Sequence, residues 1–140
     1  MARSKKSDWE KVTRFLSFRP RSEKEVADYL VRKKIPLGPI IKKLKRLKLL
    51  DDREFARWFL EQRASFKPKG KMALKQELYQ KGIARELVEE LLAEVDEASE
   101  ARKIMEKKKL LPEKMMALLA RRGFSWETIK DVQREKKFFP

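Results

Sequence analysis

The chain contains no cysteine and no histidine. Those two absences remove the thiolate and imidazole nucleophiles, the histidine general base and the usual zinc ligand sets. Glycine is scarce. Gly38, Gly70, Gly82 and Gly123 are the four present, too scattered to form a phosphate-cradling loop. No apolar run approaches the roughly 20 residues of a membrane-spanning helix. The basic start, Met1-Ala2-Arg3-Ser4-Lys5-Lys6, is not followed by an apolar segment of the secretory kind. Asp51 and Asp52 remain as a carboxylate pair, but neighbours in sequence do not face each other on a helix. The expectation is therefore a protein that is not an enzyme, uses no cofactor or metal and does not enter a membrane. A chain without cysteine is compatible with the cytoplasm.

What the chain has in excess is charge. Of its 140 residues 42% are charged, with 37 Lys and Arg against 22 Asp and Glu and a formal charge of +15. An ordinary globular domain has about 25%. Such a balance attracts polyanions at modest salt, without specificity. The charge is uneven: net +11 over residues 1–50, −3 over 51–100 and +7 over 101–140. Acidic residues cluster in the middle, at Glu86, Glu89, Glu90, Glu94, Asp96, Glu97 and Glu100. Charge runs are usually solvated helix faces, and that is the expectation here.

Helix signals are dense. Ser7–Glu10, Ser22–Glu25 and Asp51–Glu54 each have the spacing of a capping box, in which cap oxygen and glutamate satisfy each other's backbone amides. Gly82 and Gly123, each followed by an apolar residue, mark helix ends that leave in the left-handed conformation. Pro20, Pro36, Pro68 and Pro112 fall between periodic stretches. Apolar pairs recur four apart, as at Phe55 and Phe59 or Leu74 and Leu78, and sustained alternation is absent. The spacing predicts an all-α protein with helices over 8–18, 22–33, 37–48, 52–65, 71–81, 85–96, 97–108, 113–122 and 126–137.

The nine helices repeat in threes. Phe66, Pro68, Leu78 and Ile83 each follow Phe18, Pro20, Leu30 and Ile35 by 48 residues, and Leu119, Gly123, Phe124 and Ile129 follow Leu78, Gly82, Ile83 and Val88 by 41. Three tandem three-helix repeats are expected, at 8–50, 51–96 and a shortened 97–138, each too small to bury much alone. Lys34 breaks the pattern where the other copies have glycine. A left-handed lysine costs roughly 1 kcal/mol, so that helix end is expected to run differently, with Pro36 as its stop.

Three motifs in order resemble the RecX family, bacterial regulators of RecA recombinase. Leu49-Leu50-Asp51-Asp52-Arg53-Glu54-Phe55-Ala56-Arg57 is similar to that family's G-L-[IL]-D-D-x-x-F-A core, with Lys48 in place of the first glycine. Gln76-Glu77-Leu78 with Lys81-Gly82-Ile83 is similar to E-L-x-x-K-G-I, and Leu119-Ala120-Arg121-Arg122-Gly123-Phe124 to L-x-R-R-G-F. Lys69-Gly70-Lys71 replaces a common Gly-Pro. The resemblance, from about Trp9 to Lys136, implies an elongated, curved body. It also implies a cytoplasmic, monomeric protein that binds in the groove of the RecA–DNA filament, lowers ATP hydrolysis and strand exchange in recombination and repair, and touches DNA secondarily. The other class of function the residues allow is a general nucleic-acid-binding protein with helix-turn-helix-like units.

Asp51 and Asp52 are expected to cap their own helix. Phe55 and Phe59 are expected in the core, and Trp58, off their stripe, at a surface or between repeats. Candidate partner contacts are the helix-face pairs Arg53 and Arg57, Lys71 and Lys75, Lys42 and Arg46, and Lys130 and Arg134, together with Trp58, Arg121 and Arg122. Arg53 and Arg57 stand nearest the best-matched motif, where pairing with Glu54 and Glu61 is the alternative to partner contact.

Overall fold

A computed structural model describes residues 6–135 of the chain. Among them are nine α-helices and no strand: α1 (Asp8–Phe18), α2 (Glu23–Arg32), α3 (Leu37–Arg46), α4 (Asp52–Phe66), α5 (Lys71–Gln80), α6 (Arg85–Ala93), α7 (Glu97–Lys107), α8 (Pro112–Arg121) and α9 (Trp126–Gln133). Every helix expected from the spacing is present, and most ends fall one to three residues short. The expected last residues of α9, 136 and 137, lie outside the described residues.

The apolar residues gather into three clusters, each within one set of three helices. Val12, Val26, Leu30, Ile35, Leu44 and Leu50 form the first. Phe55, Ala56, Phe59, Leu74, Leu78 and Val88 anchor the second. Ala101, Ile104, Met105, Met115, Leu119 and Ile129 anchor the third. Phe55 and Phe59 are thus core residues, as the stripe predicts.

Starts and stops show the local chemistry. Ser7 accepts from Glu10 N–H at 3.1 Å and Asp51 from Arg53 N–H at 2.9 Å. Only the Ser22–Glu25 pair closes the full reciprocal box. At Gly82 (φ 80°) and Gly123 (φ 87°) the chain turns left-handed. The next amide then returns to the helix: Ile83 N–H to Leu78 O and Phe124 N–H to Leu119 O, both at 3.1 Å.

Lys34 corrects its expectation. It adopts the same left-handed turn, at φ 57°, and Ile35 N–H returns to Leu30 O at 2.9 Å. Pro36 does not stop the preceding helix but sits at the N-cap of α3. Lys48, in the place of the family's glycine, is left-handed too, at φ 58°. The roughly 1 kcal/mol strain is smaller than the about 1.5–3 kcal/mol gained by burying an isoleucine such as Ile35, so the turn survives its wrong residue.

Gly82 and Gly123 answer a second demand, from the preceding unit. A Cβ on Gly82 would stand 2.6 Å from the Cβ of Lys24, and one on Gly123 would stand 2.6 Å from the backbone nitrogen of Ala73. Gly70 needs no positive φ, but a Cβ there would overlap the backbone of Gly123 and Phe124. There the chains of two units touch directly: Gly70 N–H donates to Arg122 O at 2.8 Å and Met72 N–H to Gly123 O at 3.2 Å.

Gly82→Val is therefore expected to lower the melting temperature more than Lys34→Val, because it adds a clash with Lys24 to the strain of a β-branched left-handed residue. Thermal melts followed by circular dichroism measure both; equal or reversed shifts would refute the joint role of Gly82.

Candidate partner-binding surface

The units are joined by a bond the sequence spacing hides. Asp51 caps its own helix, as expected, but Asp52 does not. Asp52 Oδ1 instead accepts from the backbone N–H of Glu23 at 2.8 Å, capping α2 of the preceding unit. Glu97 repeats the arrangement one unit on, its Oε2 accepting from Lys71 N–H at 2.6 Å at the start of α5. Each carboxylate is the first residue of its helix, and each amide opens the second helix of the unit before. Glu97 also takes Ser125 N–H at 3.0 Å and the Ser125 hydroxyl at 2.8 Å. It is 8% exposed, so the acidic run is not wholly a solvated face.

The two caps titrate in opposite senses. Burial pushes the Asp52 carboxyl up, and its bond from Glu23 N–H only partly opposes this. Burial acts the same way on Glu97, but hydrogen bonds from Thr128, Lys71 and Ser125 outweigh it and hold the carboxyl below its ordinary value. At the first joint Glu25 accepts from Arg19 and lies 3.4 Å from Lys81 of the next unit; these cations and its Ser22 amide bond overcome burial and lower it.

On this frame the expected contact residues differ in how far other side chains engage them. Arg53 is held by Glu90 of α6 through two bonds, 3.1 and 2.8 Å, not by Glu54 or Glu61. That pairing raises the guanidinium and lowers the Glu90 carboxyl. Arg57, one turn on, is exposed and makes no ion pair among the described residues. Trp58 is half-buried on the second core with Arg19 of the first unit 5.6 Å from its ring, an inter-repeat contact. Lys71 and Lys75 line a cleft whose walls also carry Glu89, Glu97 and Glu127. Lys42 and Arg46 are exposed on α3, Lys130 on α9 and Arg134 at its C-cap, where Arg134 approaches Asp131 at 3.8 Å. Arg121 is exposed, while Arg122 donates to Pro68 O at 3.4 Å. The eleven residues lie on or at the ends of α3, α4, α5, α8 and α9. Among the described residues no helix is long and apolar enough to cross a membrane, and no cluster of acidic side chains has metal-ligand geometry.

The model for the first three-helix domain of RecX matches residues 9–47, and the model for the second matches residues 51–92. The regulatory protein RecX of Chlorobium phaeobacteroides is 34% identical over 138 residues, covering 91% of either chain. The chain belongs to the RecX family. The regulatory protein RecX of Streptococcus equi subsp. equi is 35% identical over 135 residues, or 87% of this chain and 52% of its own. The chain thus spans about half the length of several RecX relatives it matches. The crystal structure of RecX from Lactobacillus salivarius superposes with a TM-score of 0.78 at 26% identity, covering 91% of this chain and 92% of the other. The RecX fold is therefore shared along nearly the whole chain.

Sequence reasoning passed over Asp52 and Glu97 as joints because nothing local marks a carboxylate that bonds 29 or 26 residues upstream. Their common place at the head of each unit's first helix was the available signal.

Glu97→Gln is expected to cost about 2 kcal/mol at neutral pH, since a charge-assisted bond is lost and an amide NH₂ is brought near backbone N–H groups. Asp52→Asn is expected to stay within about 0.5 kcal/mol. A carboxyl lowered in the folded state stabilises above its unfolded value, and that contribution disappears as pH falls through the folded one. The Glu97→Gln deficit in urea melts should accordingly shrink on acidification below about 4.5. The raised Asp52 carboxyl behaves oppositely, its cost at neutral pH easing as it protonates. A Glu97→Gln protein as stable as wild type at neutral pH would refute the assignment.

Proposed function

We propose that this chain is a non-enzymatic regulator that binds RecA in the groove of its filament on DNA and restrains ATP hydrolysis and strand exchange, acting in the cytoplasm as a monomer. The observation that carries the reading is the pair of RecX domain models in tandem over residues 9–47 and 51–92. Relatives named regulatory protein RecX support it over most of the chain. In this reading the units 8–50, 51–96 and 97–138 form an elongated body. It lies along the filament, with DNA as a secondary contact.

Within that surface α4 contributes Arg53 and Arg57. Glu90 already engages Arg53, so Arg57, which makes no ion pair among the described residues, is the cation of the two left to meet an acidic or phosphate-lined partner. Rim charges act mostly through association rate and salt dependence. The double substitution Arg53→Glu and Arg57→Glu is expected to weaken binding to RecA–DNA filaments about tenfold, as two rim charges reversed at once, with helicity intact. Arg57→Glu alone should account for most of the loss. The measurement is RecA's DNA-dependent ATPase titrated with each variant. Full suppression by a well-folded double variant would rule out the α4 face, and absence of suppression by the wild-type chain would overturn the regulatory reading itself.

A further inference from the structure

The two joints use the same positions of the repeat but not the same bonds. Ser22 and Lys24 of the first joint stand 48 residues before Gly70 and Met72 of the second. At the second joint Gly70 N–H donates to Arg122 O and Met72 N–H to Gly123 O, main chain to main chain. At the first, Ser22 N–H turns back on its own unit and donates to Glu25 Oε1 at 3.1 Å within the capping box. No bond from Lys24 N–H to Gly82 O forms either. A Cβ at Gly70 would overlap the backbone of Gly123 and Phe124, so the serine in its place keeps the first pair of main chains apart. The seam is open to match: Pro20 is exposed, whereas Pro68, 48 residues on, is buried.

Among the described residues every polar link across the first joint therefore ends on a side chain. Asp52 accepts from Glu23 N–H at 2.8 Å, Lys81 reaches Glu25 at 3.4 Å, and Arg19 stands 5.6 Å from the Trp58 ring. Burial disfavours the charged Asp52 that makes the first of these. The second runs through a long, flexible lysine stem. The second joint has its own carboxylate bond, from Lys71 N–H to Glu97, and a bond from Arg122 to Pro68 O, besides the two main-chain bonds. Each hydrogen bond is worth roughly fivefold in an opening equilibrium, so the first joint opens more readily. Its covalent link is also the longer, residues 47–51 between α3 and α4 against 94–96 between α6 and α7.

We propose that the molecule bends at the first joint, the first unit swinging as one body against second and third units that move together. Hinge motion of this kind concentrates change in a few link residues and spares the packed interiors. Leu50 is fixed in the first core and Asp51 caps α4, so the turning falls on the main chain between them. The swing re-aims α3, with Lys42, Lys43, Lys45 and Arg46 exposed along it, and leaves the three apolar clusters intact. The bend holds whatever partner the chain binds, so it stands or falls apart from the regulatory reading.

The test is the spread of distances between two nitroxide labels on the full chain, measured by pulsed electron paramagnetic resonance. The chain has no cysteine of its own, so introduced cysteines carry the only labels. Lys42 on α3, Gln76 on α5 and Ala117 on α8 are exposed, one in each unit. Lys42→Cys with Gln76→Cys, across the first joint, is expected to give a wider distribution than Gln76→Cys with Ala117→Cys, across the second. Arg14→Cys with Lys42→Cys, both exposed within the first unit, should be as narrow as the pair across the second joint. Asp52→Ala with Lys81→Ala should widen the first distribution alone, raising the population outside its main peak about fivefold or more, the worth of one bond. Circular dichroism checks that each variant is folded. Equal widths across the two joints would overturn the proposal, and that comparison leaves both joints unaltered. So would a spread inside the first unit as wide as that across the first joint, since the unit would then be unravelling rather than swinging. An unchanged first distribution in a folded Asp52→Ala, Lys81→Ala chain would overturn it as well.

Discussion

The structure depends on one recurring bond, the carboxylate that each unit lends to the unit before it. A helix start leaves amide donors without partners. In α2 and α5 the first of these is met from outside, by Asp52 and by Glu97. A three-helix unit of some forty residues is too small to hold a deep core, and the three apolar clusters here stay separate. The arrangement of the units therefore rests on polar bonds and close backbone approach more than on shared apolar area. Where the joint is tightest, between the second and third units, Gly70 and Gly123 let two main chains bond directly. Where it is looser, the Lys24 side chain lies against Gly82 and a Glu25 ion pair spans the gap.

The local order of the fold was legible in the sequence, and the long-range order was not. Helix starts were announced by Ser7, Ser22 and Asp51, and helix ends by Gly82 and Gly123. These signals are short-range, written in residues that touch their neighbours in sequence. Lys34 shows where that reading fails. Its side chain argued for a different helix end, but the left-handed turn is held by Ile35 in the core and by the bond back to Leu30, neither of which depends on the residue at the turn. Asp52, Glu97 and the Arg53–Glu90 pair were missed for the converse reason, since each bond joins residues more than twenty-five positions apart. The surface was the least legible part. Helix-face pairs of lysine and arginine identify exposed cations, but which of them are neutralised depends on carboxylates brought in from other helices.

Charge is distributed accordingly. The acidic middle of the chain is not one solvated strip but several devices. Glu90 holds Arg53, Glu89 pairs with Arg85 at 3.0 Å on the same helix, and Glu97 lies inside a joint. Basic residues of the outer units have fewer partners of this kind, which leaves the ends of the molecule cationic and its centre close to balanced.

The joint has a consequence for self-association. A surface that docks head to tail on its own opposite end will grow into fibres unless something prevents it. The first and third units each differ from the pattern at one position that the joints use. In the third unit the place of Glu23 and Lys71 is taken by Pro112, which has no N–H to give to a following carboxylate. In the first, the place of Gly82 and Gly123 is taken by Lys34, which keeps the left-handed turn but adds a side chain there. The first and third units therefore lack part of the set of groups that makes the joints inside the chain.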